Sequence, residues 1–260
     1  MNGETLHSDT FSLQGKVVLI TGAARGLGLG YAAAAAAAGA HVVLSDRDGA
    51  ALGRSIEQMR AAGYACSAAP FDVTSQAEVT NGVAAVLAQH KHIDVLVNNA
   101  GNQLRKPFVD YTLAEWHSIM DVHVTGSFLV TQAVLRDMVK RRSGSIVMIG
   151  SIVVQSVRGT IAPYTTAKGA VTALGKALAV EYGPLGIRCN IIAPGMYETD
   201  FNRALLDKPE IYDALTQKIP LKRWGKAGDI APLLVYLASD AGRYVNGHVF
   251  TVDGGLLAAL

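Results

Sequence analysis

The stretch "KVVLITGAARGLG", residues 16–28, joins a β-branched run to a glycine-rich turn and then to a helical pattern. Val17, Val18, Leu19 and Ile20 form a short continuous apolar run, as expected of a strand buried on both faces. Gly22, Gly26 and Gly28 follow, with Arg25 and Leu27 between them, and residues 27–38 read as a helix. Glycines let the chain turn sharply and let a bulky anion approach the backbone, while the N–H groups at the helix start face it. That arrangement suits the pyrophosphate of a dinucleotide at the first turn of a doubly wound sheet. The spacing G-x-x-x-G-x-G departs from G-x-G-x-x-G, and a tight strand-to-helix turn that binds nothing has the same composition.

Working outward, strand-like runs at 41–46, 66–73, 93–101, 144–151, 187–195 and 247–255 alternate with helical patterns at 48–62, 75–90, 113–141, 162–182 and 227–238. Thr112 is the expected N-cap of the 113–141 helix. Seven apolar strands separated by helices imply a parallel sheet covered on both faces, with right-handed crossovers. The expected fold is a single doubly wound, Rossmann-type α/β domain over residues 1–260. The one irregular connection, 195–226, is long and rich in charge, which suits a lid over a substrate. The N-terminal "MNGETLHSDT" reads as structureless, and it is too polar and acidic for a leader segment.

Composition narrows the function classes. With 260 residues, 50% of them hydrophobic, the chain can bury a large core. Net charge is +2 and the basic residues are scattered; "KRR" at 140–142 reads as a solvated helix end, so nucleic acid is not an expected partner. No run of 18 or more apolar residues occurs, so no membrane partner and a cytoplasmic location are expected. Cys66 and Cys189 lie far apart and read as free buried thiols in a reducing compartment. No His/Cys cluster has metal-ligand spacing.

Two further features carry chemistry. Asp46 ends the second strand, where a dinucleotide fold meets the adenosine ribose. A carboxylate there accepts from both ribose hydroxyls and repels a 2′-phosphate, which argues for NAD over NADP. Arg25 and Arg47 argue back, since each could reach a 2′-phosphate. The second feature is "PYTTAK", 163–168, in which Tyr164 and Lys168 share one helix face at i and i+4. A phenol ordinarily titrates near pKa ~10; a nearby ammonium favours the phenolate and tunes it toward general acid–base work. Ser151 ends the fifth strand and is placed to stabilise developing charge on a substrate oxygen. Each alone also reads as an ordinary residue: an interface aromatic, a solvated lysine, a turn serine. The combination with the glycine turn favours chemistry.

These motifs, with "DVT" at 72–74, "NNAG" at 98–101 and "PGMYET" at 194–199, occur in the order of the short-chain dehydrogenase/reductase family, which the chain resembles from about residue 13 to 257. The resemblance implies strand order 3-2-1-4-5-6-7, a nicotinamide cofactor and a homotetramer. It implies that Asp72 and Val73 contact the adenine, and that Asn98 and the following Asn99, Ala100 and Gly101 run under the cofactor. Pro194, Gly195 and Thr199 would hold the nicotinamide carboxamide. One position departs: His123 in "DVHVTG" stands where the family usually carries a catalytic asparagine that holds a relay water. An imidazole can hold a water and titrates near neutrality; alternatively His123 only packs.

For the substrate, Arg105 and Lys106 follow the fourth strand, Arg158 precedes Tyr164 and Arg203 lies in the 195–226 connection. Cations around one cleft suit an anionic small molecule, though a solvated loop surface has the same composition. The arginine-bearing loops resemble those of bacterial gluconate 5-dehydrogenases and related sugar-acid dehydrogenases. That resemblance implies oxidation of a secondary alcohol of an aldonate, with Arg105 first and Arg158 second as carboxylate holder. Two alternatives stand beside it: an NADPH-dependent 3-oxoacyl-carrier reductase, and a nucleotide-binding regulatory protein without turnover.

Overall fold

The computed structural model describes residues 8–259. Its seven strands are β1 Val17–Thr21, β2 His41–Ser45, β3 Cys66–Ala68, β4 Val95–Asn98, β5 Gly144–Ile149, β6 Ile187–Pro194 and β7 Val249–Val252. They form one sheet in the order β3-β2-β1-β4-β5-β6-β7, and every pair is parallel. The expected order and fold class are therefore what the chain adopts. Side chains alternate across the sheet: Val18 and Ile20 face one apolar cluster, and Val17 and Leu19 face the other.

The first cluster is covered by α1 Gly26–Ala37, α2 Gly49–Ala61 and α9 Ala227–Ala238. The alanines of α1 let it sit close to both the sheet and α9; a Cβ on Gly30 would overlap that of Ala227. The second cluster lies under α3 Gln76–His90, α5 Gly126–Arg141 and α6 Ala162–Tyr182. Helix starts are where the sequence puts them. Thr112 and Glu115 form a reciprocal capping box at α4, Leu113–Met120.

Several expectations need correction. The 113–141 helix is not continuous: Asp121–Thr125 form a π-helical turn between α4 and α5, with His123 at its centre. By length and composition Leu113–Arg141 could cross a bilayer, but 44% of its most apolar window is buried inside the fold, so those side chains serve the core. The strand expected over 66–73 ends at Ala68, because the chain then turns so that Phe71, Asp72 and Val73 line a cleft. The 195–226 connection, expected as irregular, holds α7 Arg203–Leu206 and α8 Pro209–Lys218, seated on a further apolar cluster with Met196, Ile219 and Trp224. Of the expected structureless N-terminus, residues 1–7 lie outside the described residues, and Ser8–Phe11 form a 3-10 turn. Within "KRR", Arg141 is half-buried and bonds Asp137 at 2.9 Å and Ile93 O at 2.7 Å, so it ties α5 to the start of β4. Cys66 and Cys189 are both buried and unpaired.

Candidate active site

A cavity of about 400 Å³ opens along the C-terminal ends of β1, β4, β5 and β6. A smaller cleft, lined by Ser45, Asp46, Arg47, Phe71, Asp72 and Val73, adjoins it past Gly22 and Gly101. Parallel strands bring their ends to one edge, so residues from across the chain meet there.

At the turn after β1, Gly22 has φ +62°, and a Cβ on it would stand 2.7 Å from Ala100 Cα. A Cβ on Gly28 would overlap the Gly22 carbonyl. Gly26, at φ +58°, needs its left-handed backbone and has only Thr199 near its open side, at 3.7 Å. Asn99 Nδ2 fixes the turn by donating to Thr21 O at 3.0 Å and Gly22 O at 2.9 Å. Arg25 is the N-cap of α1, yet its side chain caps nothing. Among the described residues no side chain therefore caps the first N–H groups of α1, which fits an anion such as a pyrophosphate.

Asp46 lines the cavity, and its two oxygens accept from Ala24 N at 3.3 Å and Asp48 N at 3.0 Å. Arg25 is paired with Asp48 at 2.9 Å, and Arg47 with Asp72 at 3.7 Å. Asn99, Gly101, Pro194, Gly195 and Thr199 line the cavity, and Ala100 lines the adjoining cleft. Asn98 does not reach it: its Nδ2 is buried and donates to Thr131 Oγ1 at 2.8 Å, tying β4 to α5.

Tyr164, Ser151 and Lys168 come together in the cavity wall. Lys168 is buried, donates to Ile149 O at 2.6 Å, and stands 5.6 Å from the centroid of the Tyr164 ring. Burial pulls its pKa down to about 7. The Tyr164 phenol is pushed up to about 12 by burial, while a hydrogen bond to Ser151 and the Arg105 guanidinium act the other way. The Arg105 guanidinium thus joins Lys168 as a second cation beside the phenol. With its pKa at about 12, the resting phenol is protonated at neutral pH and ready to donate.

His123 is fully enclosed. Its Nε2 lies 2.8 Å from Asn102 O and 3.3 Å from Asn102 N, and Nδ1 is buried without a hydrogen-bond partner among the described residues. Its ring meets the Tyr164 ring edge-on, with centroids 5.3 Å apart. Burial, with Lys168 adding to it, holds the imidazole down to about 3 rather than near neutrality as expected. Gly101 has to be glycine beside it, since a Cβ there would stand 2.6 Å from His123 Cε1.

Arg105 and Arg158 both line the cavity and are half-buried. Neither guanidinium has a hydrogen-bond or ion-pair partner among the described residues. Burial lowers the pKa of both, and the charge of Arg158 lowers that of Arg105 further. Arg203 is not brought in: it is exposed, paired with Asp200 at 2.6 Å, and absent from the cavity wall. Phe201, which no motif singled out, lies tilted by 48° against Tyr164, with ring centroids 5.6 Å apart. Its signal was an apolar ring in the otherwise polar "ETDFNR".

Comparison with known proteins gives a consistent picture. A family model described as enoyl-(acyl carrier protein) reductase matches residues 22–257. The chain is 41% identical over 254 residues to gluconate 5-dehydrogenase of Gluconobacter oxydans, covering 98% of this chain and 99% of that one. It is 38% identical to 5-keto-D-gluconate 5-reductase of Escherichia coli, covering 97% of this chain and 100% of that one. A gluconate 5-dehydrogenase from Burkholderia cenocepacia, solved in complex with NADP and tartrate, superposes with a TM-score of 0.93 at 40% identity, covering 97% of this chain and 99% of that one.

Proposed function

Because this chain belongs to the short-chain dehydrogenase/reductase family, we propose that it interconverts a secondary alcohol and a ketone on a sugar acid, with C5 of gluconate the leading case. The observation that carries the substrate class is the pair of partnerless guanidiniums, Arg105 and Arg158, in one cavity with Tyr164. Half-buried cations without partners are costly to keep, and a substrate carboxylate relieves both. The relatives named for gluconate and 5-ketogluconate support the same reading.

The dinucleotide, when bound, supplies the hydride acceptor for oxidation and the donor for reduction. Gly22, Gly26, Leu27, Gly28, Asn99, Gly101, Pro194, Gly195 and Thr199 would hold it, with Asp72 and Val73 at the adenine end. In reduction Tyr164 gives its proton to the carbonyl oxygen; in oxidation its phenolate takes the hydroxyl proton. Ser151 holds that oxygen. Lys168 holds the ribose, and His123 Nδ1, otherwise without a partner, can hold a water beside it.

NAD is the cofactor we favour. A 2′-phosphate would face Asp46, and the two arginines that could receive it are paired with Asp48 and Asp72. The relative solved with NADP weighs against this. The same family membership supports a homotetramer, with exposed Phe128 of α5 and Val180 of α6 as surfaces for a second copy, and a cytoplasmic setting.

A second reading is reduction of a 3-oxoacyl-carrier thioester with NADPH, in which the arginines meet the carrier's phosphate. The test is a panel of aldonates, their 5-keto forms, neutral polyols and an acetoacetyl thioester, each with NAD(H) and NADP(H). Aldonate turnover with a kcat/KM ratio favouring NAD is expected. Tyr164→Phe should lower kcat by about 10²-fold or more without loosening cofactor binding. Preference for the thioester would replace the sugar-acid reading. Cofactor binding with no turnover on any member would favour a regulatory protein.

A further inference from the structure

Tyr111 follows the 3-10 turn Phe108–Asp110 just before α4, and no motif marks it. Its hydroxyl stands 2.5 Å from Leu104 O and 3.1 Å from Thr160 O. Leu104 precedes Arg105, and Thr160 lies two residues past Arg158. One phenolic proton thus serves two carbonyls from two loops, each carrying one of the partnerless arginines. The loops meet a second time where Lys106 N donates to Thr160 O at 3.0 Å. Lys106 Nζ is held by Glu115 Oε2 at 2.6 Å and lies 5.4 Å from the centroid of the Tyr111 ring. Glu115 in turn accepts from Thr112 N at 2.8 Å, so the assembly is anchored on the first turn of α4.

Two observations bear on this link. The guanidiniums of Arg105 and Arg158 repel each other, and spreading the loops would relieve that. Thr160 also sits at φ +69°, a left-handed conformation that a β-branched residue adopts only where its surroundings hold it. Its carbonyl is the acceptor for both cross-loop donors.

We propose that Tyr111 is a positioning residue that ties the Arg105 and Arg158 loops into one anion clamp, so that both guanidiniums face the same substrate carboxylate. The inference rests on the sugar-acid reading above and adds to it the group that sets the spacing of the two cations. Tyr111→Phe is the informative change. It keeps the ring that packs with Ile119, Val153 and Ile161 and removes only the hydroxyl.

The experiment is calorimetric titration of gluconate into the cofactor-loaded protein, which needs no turnover, together with steady-state kinetics. Tyr111→Phe should raise the gluconate Kd and KM about tenfold, the size of one charge-assisted hydrogen bond. Its kcat, its cofactor Kd and its KM for a neutral polyol should stay within about twofold. In an Arg158→Ala background the same change should have no further effect, because no second guanidinium is left to position. Gluconate binding that is unchanged by Tyr111→Phe, or weakened equally with and without Arg158, overturns the clamp and leaves the sugar-acid reading standing. A wild-type protein that binds no gluconate overturns both.

Discussion

At the scale of single residues, His123 is the position where burial matters most. The neutral imidazole is the form the folded chain accepts, and burial holds its pKa down to about 3. In the unfolded chain a histidine titrates near ~6.5. The folded value lies below the unfolded one, so the unfolded state takes up the proton first as pH falls. Stability from this residue is complete above about pH 6.5 and is lost on the way down to about 3. Denaturant unfolding at steps from pH 7 to 4 should show wild type losing about 1–3 kcal/mol more than His123→Asn. Parallel losses in the two proteins would mean that the imidazole does not govern the acid limb. Ser151, Tyr164, Lys168 and the glycines were legible in the sequence because their spacing is local: a turn, a strand end, one helix face. The seat of the His123 ring, the bridging hydroxyl of Tyr111 and the outward turn of Arg203 were not, because each depends on a partner fixed by tertiary structure, Asn102, Thr160 and Asp200 respectively.

At the scale of elements, apolar periodicity located every strand and most helices, though it ran β3 five residues past its end and β4 and β7 three past theirs. It missed the π turn at 121–125, because one extra residue rotates the pattern without changing its composition. It also missed α7 and α8, whose polar faces mask a narrow apolar side packed against Trp224. The contact between α1 and α9 is legible only in three dimensions. Gly30→Ala should push these helices apart, since the new methyl would overlap Ala227. The expected cost is about 1–3 kcal/mol, or a Tm lower by roughly 2–8 °C for a chain of this size. A Tm equal to wild type would show that the helices slide apart without strain.

At the scale of the whole molecule, alternation of strands and helices was enough to give a parallel sheet, and the motif order gave the sequence of its strands. Assembly is a further question, since Phe128 is 47% and Val180 79% exposed on neighbouring helices. Light scattering should give four chain masses for wild type and fewer for Phe128→Glu, which places a charge on that face. A monomeric wild type would overturn the tetramer. The sheet's two outer strands, meanwhile, are both short: three residues in β3 and four in β7. Each margin offers too few open amides for a foreign chain to zip onto it. Even at high concentration, fibre growth by adding backbone to either margin should find no footing, and any clumping has to begin from side chains.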